Sequence, residues 1–361
     1  MSDLLRTPVV LILYNRSETT TQVVDVLRQV RPATLYVAAD GPRPGDEARC
    51  AAARTVVDAV DWPGTVHRWY STRNRGNRLQ IPGTLDEVFS RVDRAIVVED
   101  DVVAHPRFFP WCEAMLDRYA GDRDVQQVSG RNDLGRWDAG GRDHLLAYRG
   151  SIWGWGTWAT AWTAARRTAP RGAPPAALDP LVADHLRQLQ AMLDRGHRIA
   201  WDNEWTLKRI LHGGLSVVPP VNLVRNVGFG AEASHTVLAT DPRGALDVVE
   251  PAAEMDAGAP AGQGRGGTRP AVDARYDRWS LLFELMCSYT DPAAARRLSR
   301  ASRVLERAAG AEHDQVVHHL APFRDPEESS AALEHLRPHL GGSPSFDRLS
   351  EVMAEAAGRP V

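Results

Sequence analysis

An acidic triplet, Glu99-Asp100-Asp101, follows four apolar residues, Ala95 to Val98, and precedes Val102-Val103. Three carboxylates at the end of a buried strand are costly to desolvate unless a cation or hydrogen-bond donors compensate them. Carboxylate oxygens are hard ligands that suit Mn2+ or Mg2+, and a site built on one or two of them leaves coordination positions for a substrate's phosphate oxygens. The occupant this predicts is a divalent cation carried on a nucleotide diphosphate. The competing reading is that the acids merely precede a helix starting at Pro106, where the helix dipole favours negative charge. The strand context favours the metal.

Other residues could serve the same chemistry. Asp202, set between Trp201 and Asn203 ahead of a helical stretch, suits either a general base shielded from water or a helix N-cap, and Glu204 is the second candidate base. Arg73, Arg75 and Arg225 are candidates for bidentate phosphate contacts, although each taken singly reads as a solvated surface arginine. Trp153, Trp155, Trp158 and Trp162 alternate with Gly154 and Gly156. Indoles offer flat apolar faces and an N–H donor, and glycine lets a ligand approach the backbone. Trp153, Trp155, Gly156 and Trp201 are the candidates for substrate contact, with one or two of the block's indoles expected at the ligand and the others packed inside.

These residues need a scaffold that gathers them. Val9 to Leu13 reads as a strand buried on both faces, bounded by Pro8 and Tyr14-Asn15-Arg16, and Ser17 is expected to cap a helix to about Arg28. Leu35 to Ala39 forms a second apolar run, ending in Asp40-Gly41. A helical stretch from Asp46 to Val60, strands at Thr65 to Tyr70 and Ala95 to Val98, helices over Leu178 to Arg195 and Asn203 to Leu211, and a strand at Leu215 to Val218 continue the pattern. Such alternation predicts an α/β fold with a mostly parallel central sheet and helices on both faces. Ligands of open parallel sheets bind at the carboxyl ends of the strands. Asn15-Arg16, Asp40 and the acidic triplet are all predicted to lie on that edge.

The composition narrows the class. With 43% hydrophobic and 25% charged residues over 361 positions, the chain reads as globular, and a net charge of -3 argues against a general nucleic-acid binder. Three dispersed cysteines suggest neither a zinc site nor a disulfide scaffold. The apolar runs are too short for a signal peptide or a membrane span, so a cytoplasmic protein is expected. Ala, Gly, Pro and Asp dominate residues 239–272, which divides the chain into a domain over 1–238, a loose linker over 239–272 and a helical extension over 273–361.

The segment Ala95 to Tyr119, AIVVEDDVVAHPRFFPWCEAMLDRY, resembles the metal-site segment of the GT-A glycosyltransferases, especially the Golgi N-acetylglucosaminyltransferase type that starts N-glycan branching, where EDD replaces DxD. Pro8 to Leu27 with Asn15-Arg16-Ser17, Asp40-Gly41, Val128-Ser129 with Asn132-Asp133, Tyr148-Arg149 leading to Gly154 and Gly156, and Trp201-Asp202 before Trp205 occur in the same order. Asn222 to Thr236 is similar to a segment that follows the WD motif in bacterial family 2-like transferases, so the likeness runs from Pro8 to Thr236.

The resemblance implies a GT-A, Rossmann-like fold and transfer of a sugar from a nucleotide diphosphate, UDP foremost, to a hydroxyl of a soluble metabolite, oligosaccharide or peptide. It implies that Asn15, Arg16 and Asp40 contact the nucleotide, that Arg73, Asn74 and Gly76 line its cleft, and that Glu99 and Asp100 run along the ribose and sugar. Asp101 becomes the metal ligand, His235 a further metal or phosphate contact, and Asp202 the base of an inverting displacement. The rival readings are a sugar-phosphate nucleotidylyltransferase, whose Gly-rich phosphate loop is missing after the first strand, and a non-catalytic nucleotide-sugar binder, which would have no turnover to lose. For the C-terminal helices, closure over the acceptor, homodimerisation and partner docking stay open.

Overall fold

The computed structural model describes residues 4–229, 243–244, 246–251, 269–278, 280, 281 and 284. Its centre is an eight-stranded sheet in the order β3-β2-β1-β4-β8-β6-β9-β7. The strands are β1 (Val9–Leu13), β2 (Thr34–Ala39), β3 (Thr65–Tyr70), β4 (Arg94–Glu99), β6 (Val125–Ser129), β7 (Leu145–Ala147), β8 (Trp155–Trp158) and β9 (Leu215–Val218). Only β8 and β7 run against the others, so the sheet is mostly parallel, as expected. A two-stranded antiparallel ladder joins β5 (Val102–Ala104) to β10 (Val224–Asn226).

Strand β1 shows why the sheet is covered on both sides. Val9, Leu11 and Leu13 pack with Val23, Val24 and Leu27 of α1 (Ser17–Val30), Ala53 and Val57 of α2 (Glu47–Asp58), and Phe108 and Cys112 of α4 (Phe108–Arg118). Val10 and Ile12 point the opposite way, toward Ile81, Leu85 and Val88 of α3 (Asn77–Phe89), Trp162 of α5 (Ala159–Arg167) and Trp205 of α7 (Trp201–Leu211). Every side chain of this strand is therefore core, each contributing about 1.5–3 kcal/mol of burial. That is why its sequence is unbroken Val, Leu and Ile rather than alternating. Helix α6 (Pro180–Asp194) completes the described helices, packing beside α7.

The chain runs β1-β2-β3 outward in one direction, then returns to β4 on the other side of β1. The strand order reverses at the β1/β4 boundary, and a crevice opens there at the carboxyl ends. The residues after β1 are Tyr14-Asn15-Arg16 and those closing β4 are Glu99-Asp100-Asp101, so the fold puts both clusters at the reversal.

Two local expectations change. Ser17 is the first residue of α1 rather than its cap, and no side chain caps that helix. The stretch read as a loose linker is partly tied down: Leu246 is buried, Val249 N–H donates to Asn222 O at 2.8 Å, and Val272 forms a parallel bridge with Leu146. Residues 274–278, 280, 281 and 284 are helical and lie against the sheet through Tyr276 and Leu281, both fully buried. Hydrogen bonds to residues distant in sequence, invisible to composition, tie down these segments. The helical stretches expected from Pro292 onward lie outside the described residues.

Candidate active site

At the strand-order reversal, Asp100 braces the two strands, its Oδ2 accepting the Tyr14 backbone N–H at 2.8 Å. Asp101 pairs with the Arg16 guanidinium from the start of α1, both side chains largely buried at 17% and 16% exposed. Backbone from beyond β10 closes over this pair. Val227 N–H donates to Asp101 O at 2.8 Å, and a Cβ at Gly228 would collide with the Asp101 carboxylate and the Arg16 guanidinium. Only glycine fits at 228 without displacing the pair.

The cluster holds more negative charge than the protein compensates. Burial first, then Asp101, pushes the Asp100 carboxyl up to about 7. Burial followed by the charges of Asp101, Asp100 and Asp202 drives Glu99 well above the carboxylate range. Burial also raises Asp101, against the pull of Arg16. Such a site binds protons or a cation in preference to standing ionised. Hard oxygen donors with surplus charge suit Mn2+ or Mg2+. Among the described residues no three His, Cys, Asp or Glu side chains converge as a metal cage. His235 lies outside the described residues.

Asp202 reaches this cluster from another element. It lies in the first turn of α7, whose cap position is Ala200 with no side-chain cap bond, so Asp202 is not the N-cap that its sequence setting allowed. Its charge is among those raising Glu99, which places the two carboxylates in one electrostatic neighbourhood. Asp202 also lines a cavity of about 160 Å3 together with Trp153, Ser151, Asn203 and Thr206. Glu204, the alternative base, turns away to an ion pair with Lys208 at 2.7 Å and is absent from that lining.

The tryptophan block divides. Trp153 lines the cavity, with the Arg131 guanidinium 4.6 Å above its ring and Phe229 edge-on at 5.7 Å. Trp155, expected at the substrate, is 1% exposed and packs against Trp205, Trp201 and Trp162 at 5.6, 6.4 and 6.5 Å between centroids. Trp201 is buried in the same aromatic core. Gly156 is a packing glycine rather than a ligand contact, because a Cβ there would lie 2.8 Å from Cys112 Sγ and 3.0 Å from Leu116. β8 threads between β4 and β6, buried on both faces, so its indoles go to the core.

The end of β2 also differs from expectation. Asp40 Oδ1 accepts the N–H groups of Gly41 and Arg75 at 2.8 Å each, and Oδ2 accepts those of Arg75 at 3.1 Å and Gly76 at 2.8 Å. A carboxylate offers about four lone-pair sites. Three backbone N–H groups, that of Arg75 shared between both oxygens, engage them, so Asp40 latches the 73–76 loop. Asn74 strengthens the latch through Gly41 O at 2.8 Å, and Gly76 takes a positive φ of 72° leading into α3. Asn15 donates to Asp46 at 3.2 Å, beside the Tyr14 hydroxyl, which donates to the same carboxylate at 2.7 Å. Burial and this bond push the Tyr14 hydroxyl up to about 12. Arg73 and Arg75 stay exposed along this edge.

Sequence reasoning gave no role to Arg131, Asp133, Arg149 and Glu284, which share the cavity with Asp202. The first three fall within or beside motifs noted in order, Asn132-Asp133 and Tyr148-Arg149. Glu284 carried no signal, since only folding brings the C-terminal segment to the cavity.

Solved structures share the outline of the fold at low identity. A mannosyltransferase from Pyrobaculum calidifontis, solved with GDP-Man and Mn2+, is 14% identical with a TM-score of 0.39, covering 98% of this chain and 86% of that one. A mannose-1-phosphate geranyltransferase from Thermus thermophilus is 10% identical with a TM-score of 0.33, over 62% of this chain and 77% of that one. Mouse xyloside xylosyltransferase 1 in its apo form is 10% identical with a TM-score of 0.31, over 57% and 82%. At these scores the likeness carries no residue role. No protein-family model and no curated protein matches the sequence. Among the described residues no helix is long and apolar enough to cross a membrane.

Proposed function

We propose that this chain is a metal-dependent glycosyltransferase of the GT-A type, moving a sugar from a nucleotide diphosphate sugar to an acceptor hydroxyl. The observation that carries the reading is the acidic triplet gathered with Arg16 and Tyr14 at the strand-order reversal, with Asp202 of α7 lining a cavity. A donor diphosphate at the cluster and an acceptor in the cavity would meet at Asp202. Asp101 would hold a divalent cation, which would supply neutralisation of the charge that develops on the leaving diphosphate.

The protein's own groups have distinct parts. Arg16 neutralises Asp101 and presents its guanidinium to the diphosphate. Asp100 and the Asp40 latch fix the strand ends and the 73–76 loop, leaving Arg73 and Arg75 exposed at the rim for phosphate contacts. Asp202 accepts the acceptor's proton as the hydroxyl oxygen bonds to the anomeric carbon and the bond to the diphosphate breaks. A single displacement of this kind inverts the anomeric configuration, which NMR of the product reads directly. UDP and GDP are both to be tested. Calorimetric titration of each, with and without Mn2+, is the test: binding is expected only with the metal, and absence of binding to either nucleotide would refute the proposal.

A further inference from the structure

The cavity beside Asp202 has a wall made by a part of the chain that follows the last strand of the sheet by more than 50 residues. Asp277, fully buried, accepts the backbone N–H of Tyr148 at 3.1 Å and of Arg149 at 2.6 Å. Arg149 Nε donates to Ser280 Oγ at 3.0 Å, and that hydroxyl donates to Asp133 Oδ2 at 2.9 Å. The Arg149 guanidinium pairs with Glu284, and both line the cavity with Asp202. Two core residues of the cavity, Arg149 and Asp133, are thus oriented by the C-terminal helical segment, which also contributes a carboxylate of its own.

The lining constrains what fits. Guanidiniums of Arg131, Arg149 and Arg243 face carboxylates of Asp133, Asp202 and Glu284, three against three, with His185 the further ionisable group among the described residues. A charged guest would have no net opposite charge to offset its desolvation. Hydroxyl groups both donate and accept, which matches interleaved carboxylates and guanidiniums. The volume of about 160 Å3 leaves room for a guest the size of one sugar ring. Trp153 adds an aromatic surface at the same wall.

We infer that the C-terminal helical segment is a working part of the acceptor site, with Glu284 as a specificity-determining residue, and that the cavity takes a single uncharged polyhydroxylated ring. This rests on the reading of Asp202 as the residue that meets the acceptor. Saturation-transfer NMR on the full chain tests it with methyl hexopyranosides, a methyl glucuronide and a serine/threonine peptide as probes. The expected result is binding of one or more neutral hexosides and neither of the other probes. Glu284→Gln and Glu284→Ala should weaken that binding at least tenfold or reorder the preferred epimers, with Mn2+-dependent UDP or GDP binding retained. Should Glu284→Ala fail to fold, the near-isosteric Glu284→Gln decides. An unchanged hexoside profile in Glu284→Gln, or preference for the glucuronide or the peptide, would overturn the inference. Hexoside binding without any nucleotide binding would sink the donor reading alone.

Discussion

Asp100→Asn isolates the electrostatic cost at the strand-order reversal. An amide oxygen can still accept the Tyr14 N–H, so the brace survives while the charge goes. Asp100 rises from 3.8 to about 7 in the fold. Because the native value lies above the unfolded one, the protonated carboxyl's contribution to stability is complete below the unfolded pKa. That contribution is lost as pH climbs through the native pKa. A rise of that size at 1.36 kcal/mol per unit is on the order of 4 kcal/mol. The metal-free wild type should therefore weaken steadily between pH 4 and pH 8. The variant should match it near pH 4 and exceed it at pH 8, by roughly 5–8 °C in melting temperature. Mn2+ should narrow the gap at pH 8 by supplying the missing positive charge. Differential scanning calorimetry over pH, with EDTA or Mn2+, reads all three. If wild type and Asp100→Asn melt together at pH 8 in EDTA, the cluster is already compensated and the case for a cation fails.

Other outcomes follow from the same geometry. Asp202→Asn should lower turnover by about 10²–10⁴ while keeping donor binding, whereas Glu204→Gln, which loses only the Lys208 pair, should stay within a few-fold of wild type in a transfer assay. Gly228→Ala drives a methyl into the Asp101–Arg16 pair and should weaken Mn2+-dependent nucleotide binding at least tenfold by calorimetry, with circular dichroism unchanged. Asp40→Asn turns an N–H2 toward a backbone donor and should cost about 1–3 kcal/mol in urea unfolding, while the ratio of UDP to GDP affinity does not move. Gly156→Ala overpacks against Cys112 and Leu116 and should cost about 1–3 kcal/mol with no effect on ligand affinity.

Local patterning was enough to define the scaffold's parallel half and its working edge. Val9–Leu13 and Thr65–Tyr70 fall on the expected residues, and Asn15-Arg16, Asp40 and Glu99-Asp100-Asp101 do share the carboxyl ends of neighbouring strands. Those features are local: a doubly buried strand must be written as an unbroken apolar run, and the residues after it must leave the sheet at a fixed end. What each polar side chain does there was decided by tertiary structure alone. Asp40 reads as a ligand contact until the 73–76 loop folds back and engages its oxygens with N–H groups. Trp155 and Trp153 are indistinguishable in the chain, yet one is threaded into the centre of the sheet and the other left at a cavity. Glu284 joins that cavity from some 80 residues beyond Asp202, by buried hydrogen bonds that no spacing encodes. Hydrogen-bond saturation and burial are properties of neighbours in space, and most of these neighbours are far apart in sequence.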